Sequence, residues 1–246
     1  QVCLTFDDAL KSQVDIALPI LRSYGLTGFF FIYSSIFEGI KEKLEIYRYF
    51  RTTQFSTIED FYEYFFNYLK KLPLFDKIEN GLKKFNSTKY LKNWAYYTKS
   101  DKKFRYIRDQ ILTRDEYSTI MDTLILESKV NLEKIYKNLW ISEKDLKKIN
   151  KDKHVIGLHS YSHPTNLSVL SYKDQNEEYF KNKKHLEKIN SKIFVMAHPS
   201  NSYNEDTLKI LKNFKITMGF RADMNPIQSN LEIPRQDHSI VTRMLY

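Results

Sequence analysis

Cysteine occurs once in the 246 residues, as Cys3, so no internal disulfide can form. A single thiol fits a reducing compartment. Glycine and proline are sparse, six of each, and the chain shows neither a repeat nor a low-complexity linker. No run reaches the roughly 18 uninterrupted apolar residues that a membrane-spanning helix needs, and no signal-peptide pattern opens the chain. The first residue is not Met and stands at what reads as a first strand. The sequence is therefore expected to be a fragment, from a protein in the cytoplasm or peripheral to the membrane. Negative charge is the scarcer sign: 30 Asp and Glu against 39 Lys and Arg leave a net charge of +9. That surplus attracts anionic partners such as nucleic acid, anionic lipid or an acidic glycan. Many of the lysines, however, alternate with Glu and Asp on what read as helix surfaces. No Lys/Arg cluster with interleaved aromatics stands outside the central helical stretch, so specific nucleic-acid binding is not expected.

What is abundant is apolar: 42% of residues are hydrophobic and 15% aromatic, ample for a buried core. Residues 2–6 read as a buried strand that carries Asp7 and Asp8 to its carboxyl end. Residues 13–24, with Val14, Ile16, Ala17, Ile20 and Leu21 apolar, read as a helix in spite of Pro19, closed by Gly25. Residues 27–33 are a second buried strand, which makes the opening pattern β-α-β. From 39 to 139 the character changes. Gly81 is the only glycine after Gly39 there, Tyr and Phe abound, and apolar residues recur at helical spacing. Ser56 with Glu59 and Thr113 with Glu116 predict capping boxes ahead of apolar stripes, and Pro73 ends the first of these helices. This stretch is expected to be a helical insertion with its aromatics packed inward. An insertion after the second strand would emerge on the catalytic face of a barrel, where it can act as a lid.

Beyond it, Ser142 with Asp145 opens a helix, 155–158 is a strand, and Ser171 with Asp174 starts a long helix. Residues 193–197 are the next strand, and a loop from His198 to Asn204 follows, with Asn204 capping a further helix. Residues 216–220 and 240–245 are the last strand candidates. Strands alternating with helices argue a parallel α/β sheet. His159 and His163, four apart and directly after a short apolar strand, can point two imidazoles at one centre. The pair Asp7-Asp8 at another strand end offers a carboxylate, and two His with one carboxylate make a metal site.

Thr5-Phe6-Asp7-Asp8, followed far downstream by His159-Ser160-Tyr161-Ser162-His163, resembles the first two motifs of the polysaccharide deacetylases, carbohydrate esterase family four. Residues 146–163 look like that family's helix, turn and strand leading into the second motif. Residues 193–204 resemble its strand and proline-containing loop, and Glu232-Ile233-Pro234-Arg235-Gln236-Asp237 is similar to a late motif of members associated with surface-polysaccharide synthesis. Together the resemblance covers roughly residues 1–36 and 140–246. It implies a distorted (β/α) barrel over 1–38 and 140–246 with the helical insertion at 39–139. It further implies removal of an N-acetyl or O-acetyl group from a sugar or polysaccharide, with release of acetate. An inactive carbohydrate-binding or structural protein on the same fold is the alternative. The implied metal ligands are Asp8, His159 and His163, holding zinc first, with nickel, cobalt or manganese as other choices. The implied base is Asp7. Ala9 stands where the family usually has Gly, and Ala197 where many members carry Arg. With no arginine in the loop, Arg235 is expected to grip Asp7 with its planar fork. His198, beside Pro199, and His238, beside Asp237, are the candidates for protonating the leaving amine. Pro199, Tyr203 and Asn204 match the family loop, whose backbone amides are expected to form an oxyanion hole. The oligomeric state is not expected from any feature of the sequence.

Overall fold

The structure is a computed structural model that describes residues 2–92, 97–190 and 192–245. It divides into two compact units, residues 1–42 with 136–246, and residues 43–135. The first unit is built on a parallel sheet of β1 (Leu4–Phe6), β2 (Gly28–Ile32), β3 (Val155–Leu158), β4 (Val195–Ala197) and β5 (Met218–Phe220). Spatial order follows chain order. Every crossover therefore moves one strand along in the same direction, which is how a (β/α) barrel winds and not how a doubly wound sheet does.

Side-chain contacts show that this sheet is curled. In a flat sheet β2 and β5 would lie three strand spacings apart, roughly 14 Å. Instead the Phe29 and Phe31 rings of β2 approach Phe220 of β5 at 5.6 and 5.4 Å. Phe31, Val195, Ala197 and Phe220 form the buried interior, with Ile233 packed against them. Gly157 makes room for it, since a Cβ there would lie 2.7 Å from the Phe31 ring. Past β5 the chain returns along that strand: Ile233 N–H donates to the Gly219 carbonyl at 2.8 Å and Arg221 N–H to the Ile233 carbonyl at 2.9 Å. Gly219 permits this approach, because a Cβ would stand 2.5 Å from the Leu231 carbonyl oxygen. Arg235, two residues further, donates to Thr5 Oγ1 of β1 at 3.1 Å, so the two ends of the sheet meet.

The strand predicted at 2–6 is shorter and less buried than expected. It is an edge strand, with Leu4 39% and Val2 86% exposed, and Cys3 is exposed as well. The helix predicted over 13–24 is a π-type turn (Gln13–Ala17) running into α1 (Leu18–Ser23). Pro19 falls in the first turn of α1, where its missing N–H has no intrahelical partner to lose. Residues 240–245 are not a strand. They belong to a terminal helix whose first turn is held by Asp237, which accepts from Ser239 N–H at 2.8 Å.

In chain order the second unit contains α2 (Lys43–Thr53), α3 (Ile58–Leu69), α4 (Phe75–Leu82), α5 (Lys99–Tyr106) and α6 (Arg114–Glu127). Phe61, Phe65 and Phe104 are fully buried, and their rings meet at 5.0 to 5.8 Å, so the aromatics do pack inward. The box at Thr113 and Glu116 forms as predicted. The one expected at Ser56 and Glu59 lies a residue later, at Thr57 and Asp60, and Thr98 with Asp101 makes another. The remaining helices are α7 (Leu132–Leu139), α8 (Glu143–Lys151), α9 (Tyr172–Leu186), α10 (Glu205–Asn213) and α11 (His238–Leu245). Among the described residues no helix is long and apolar enough to cross a membrane.

Candidate active site

Because all five strands are parallel, the residues that follow each of them gather at one end of the sheet, the carboxyl end. Asp7 and Asp8 follow β1, His159 to His163 follow β3, and His198 follows β4. Asp8 Oδ1 lies 3.3 Å from His159 Nε2 and 3.2 Å from His163 Nε2, and the three donor atoms sit within 4.8 Å of one another. Backbone geometry is unusual at this point. Asp8, Ala9, Ser160 and His163 all have φ between 54 and 74°. Non-glycine residues adopt that region at a cost, and such outliers cluster where a site imposes them. Ala9 is one of them, at a position where glycine would bear no such cost.

His159 and the loop that follows it are held by partners behind the site. His159 is 1% exposed, and its Nδ1–H donates to the Ala197 carbonyl at 2.9 Å; a carbonyl only accepts, so Nδ1 carries a hydrogen and Nε2 is the nitrogen left facing Asp8. Asn182 on α9 accepts from His159 N–H at 3.0 Å and donates to the Ile32 carbonyl at 2.9 Å, tying β3 to β2. Glu178, one turn earlier, accepts from the N–H groups of Tyr161 and Ser162 at 2.9 and 2.8 Å and from Ser162 Oγ at 2.7 Å. Sequence reasoning missed both, because polar residues on a helix read as solvated. The available signal was position: Gln175, Tyr179, Asn182 and Leu186 share the buried stripe of α9.

Burial alone would raise the Asp8 carboxyl, but the two imidazoles outweigh it and hold the group far below the usual carboxylate range. Burial alone would lower His159; Asp7 and Asp8 beside it pull it upward instead. The cluster thus favours positive charge at its centre. Two neutral-capable imidazole nitrogens and one carboxylate, with the tautomer of one ring fixed by a carbonyl behind it, fit a divalent ion of the zinc type.

Asp7 stands beside this cluster and is held by Arg235, whose Nη1 and Nη2 donate to Oδ1 and Oδ2 at 2.8 and 2.7 Å. The Arg235 Nε donates to the Arg221 carbonyl at 2.7 Å, which fixes the plane of the fork. Gln13 Nε2 donates to the Asp7 carbonyl. Ala197, lacking a side chain that could reach Asp7, contributes its carbonyl to His159.

Other predicted site residues are placed differently. His238 is 94% exposed on the first turn of α11, next to Asp237 at 3.6 Å, and Asp237 caps that helix. Asn204 spends its backbone N–H on Thr207 Oγ1 at 3.1 Å and its side chain on capping α10, so its amide is not offered to an oxyanion. Pro199 opens a short turn after β4, and Tyr203 stacks on His198 at 4.1 Å while its hydroxyl donates to Glu232 at 3.0 Å. His198 is 1% exposed. Its Nε2–H donates to the Leu231 carbonyl at 2.8 Å, and Nδ1 is buried without a hydrogen-bond partner among the described residues. Burial pushes its pKa down to about 4, so at neutral pH the ring is neutral, with its one proton on Nε2.

That burial has a consequence for stability. The folded pKa lies below the unfolded value, so the unfolded chain takes up the extra proton first. The stabilisation is complete above about pH 6.5 and is lost as the pH falls towards 4, amounting to about 3 kcal/mol at the low end. Burial also lowers His154 and His185, so the readout is a difference. Denaturant unfolding of wild type and His198→Gln at pH 7 and pH 4.5 is expected to show the smaller acid loss in the variant. Equal losses would contradict the assignment.

A curled parallel sheet gathering an aspartate pair and a histidine pair at its carboxyl end has the architecture of the polysaccharide deacetylases, and comparison with known proteins agrees. A sequence profile described as polysaccharide deacetylase matches residues 120–219, which include the histidine pair but not Asp7, Asp8 or Arg235. No curated protein matches the sequence. Among solved structures, the chain is similar to a Streptococcus pyogenes deacetylase, PplD, in complex with acetate, at 16% identity and TM-score 0.50, covering 95% of this chain and 62% of that one. It is also similar to the BpsB deacetylase domain of Bordetella bronchiseptica, at 10% identity and TM-score 0.50, covering 95% and 69%. A de-N-acetylase from Aggregatibacter actinomycetemcomitans aligns at 12% identity and TM-score 0.51, covering 98% and 74%. At these identities the likeness is one of fold: the chain has the polysaccharide deacetylase barrel and resembles that family in sequence over residues 120–219.

Proposed function

We propose that the protein is a metal-dependent hydrolase that removes an acetyl group from an N- or O-acetylated sugar or polysaccharide and releases acetate. The observation that carries this reading is the convergence of Asp8, His159 and His163 beside an aspartate gripped through both oxygens by Arg235. Asp8, His159 and His163 would hold the ion, zinc by the donor set. When bound, such an ion supplies Lewis acidity towards an acyl oxygen and a lowered pKa for water. Asp7 is the base, taking the proton of the attacking water on a carboxylate oxygen as the water oxygen bonds to the acyl carbon, and returning that proton to the sugar nitrogen or oxygen as its bond to the acyl carbon breaks. Arg235 is a positioning residue: it fixes the plane of the Asp7 carboxylate through both of its oxygens. The acetate bound to the Streptococcus pyogenes deacetylase is the product expected of this chemistry.

The experiment is acetate release from a panel of N- and O-acetylated glucosamine oligomers, with zinc-loaded, chelated and reloaded protein. Release that falls to background with chelator and returns with metal supports the proposal. Release indifferent to chelation would refute the metal-dependent hydrolase. A metal-loaded protein that binds the oligomers and frees no acetate would establish the inactive carbohydrate-binding reading instead.

A further inference from the structure

The helical unit holds a group of charges that the deacetylase chemistry does not use. Arg51, in the last turn of α2, lies over the Phe104 ring at 5.2 Å, and Arg108, just past α5, approaches the same ring at 5.9 Å. Arg105 stacks over Tyr97 at 4.0 Å. Arg105 and Arg108 are three apart on one helical face, and all three guanidiniums act on the buried Tyr117 hydroxyl.

Only one of the three has a carboxylate among the described residues. Asp109 accepts from Arg108 Nε and Nη2 at 2.5 and 2.9 Å. The nearby Asp101 is occupied by the Tyr62 hydroxyl and by the Thr98 cap. Arg51 Nε and Nη1 and Arg105 Nε are shielded from solvent and have no hydrogen-bond partner among the described residues. Burial holds the Arg51 guanidinium below its ordinary range, the Tyr62 and Tyr117 hydroxyls oppose this, and Arg105 and Arg108 add to it. Buried donors are nearly always satisfied, and a buried charge without a counter-charge is costly. Water can satisfy the donors but leaves two positive charges uncompensated. An oxyanion answers both needs, since the guanidinium fork matches its geometry. The Arg108 side chain is 26% exposed and Arg51 and Arg105 are half-buried, so the group opens to solvent.

We propose that Arg51, Arg105 and Arg108 form a binding site for a small oxyanion, a phosphate, sulfate or carboxylate group, using none of the residues of the Asp8, His159 and His163 cluster.

The test is thermal unfolding of the whole chain in sodium phosphate against sodium chloride at matched pH and ionic strength, with sulfate and acetate as further arms. A ligand that binds only the folded state raises Tm in a saturable way, by about 5 °C at a hundredfold excess over Kd for a chain of this size. At least one oxyanion is expected to give this rise in wild type and in His159→Ala, and to lose it in Arg51→Met and Arg105→Gln. The first variant keeps the apolar cover of Phe104 while removing the charge; should it not fold, the second carries the test. Retention in His159→Ala separates this site from an anion held by the metal cluster. No saturable rise with any of the three, or an equal rise in the arginine variants, would overturn the proposal.

Discussion

Arg235→Lys is expected to lower turnover about 10- to 100-fold while metal content and fold stay as in wild type. The loss comes from shape, because the charge is kept. Arg235 meets both Asp7 oxygens at 2.8 and 2.7 Å, a third donor reaches the Arg221 carbonyl, and Nη1 also reaches Thr5 Oγ1. A lysine ammonium is a point charge that can meet one carboxylate oxygen but cannot hold the plane. Losing one charge-assisted hydrogen bond costs about 1.5–3 kcal/mol. If the carboxylate must face water in one orientation, that loss passes into the barrier as the fold-change stated. The defect belongs in kcat, with KM little changed, because Arg235 acts through Asp7. Normal turnover in a folded Lys variant would remove Arg235 from the account.

His159→Ala is expected to abolish stoichiometric metal binding, and acetate release with it. His159 is buried, and its ring is fixed between the Ala197 carbonyl and Asp8. His159→Gln, which retains polar bulk in the cavity, guards against a variant that simply unfolds. Elemental analysis of the purified proteins decides: about one ion per chain in wild type and close to none in either variant. An unchanged ratio in a folded variant would sink the ligand set. A change behind the site should act more mildly. Asn182→Ala leaves the ligands in place but frees the His159 backbone, and losses of such supporting contacts typically cost 10- to 100-fold in metal affinity.

Much of this site was legible because it depends on local signals. The apolar runs placed Asp7, Asp8 and His159 at strand ends, and parallel strands bring such ends together whatever the chain between them does. The Arg235 grip was legible for a different reason, the family resemblance: Ala197 stands where many members carry the arginine that holds the aspartate, and Arg235 is the basic residue of the late motif. What failed depended on competition between close alternatives. In Ser56-Thr57-Ile58-Glu59-Asp60 two capping boxes overlap by one residue, and only the extended backbone of Thr57 selects the second. Ile240 and Val241 carry β-branched side chains that suggest a strand, but Asp237 and Ser239 supply a helix start just ahead of them. His198 and His238 each lie beside a plausible partner in sequence, and burial separates them: one is enclosed and the other is in solvent. Burial is set by the whole fold, which is why no reading of the neighbours could decide it. The same holds for Glu178 and Asn182, ordinary helix residues until the loop after β3 folds over them.

The two adjacent aspartates offer the most direct test of the central claim, since they differ in role while sharing a strand end. Asp7→Asn and Asp8→Asn are to be compared for bound metal and for acetate release on one confirmed substrate. Asp7→Asn should keep its metal and lose turnover. Asp8→Asn should lose metal affinity itself, and with it activity that added metal partly restores. Full activity in Asp7→Asn, or undiminished metal affinity in Asp8→Asn, would contradict the division of labour on which the proposed function stands.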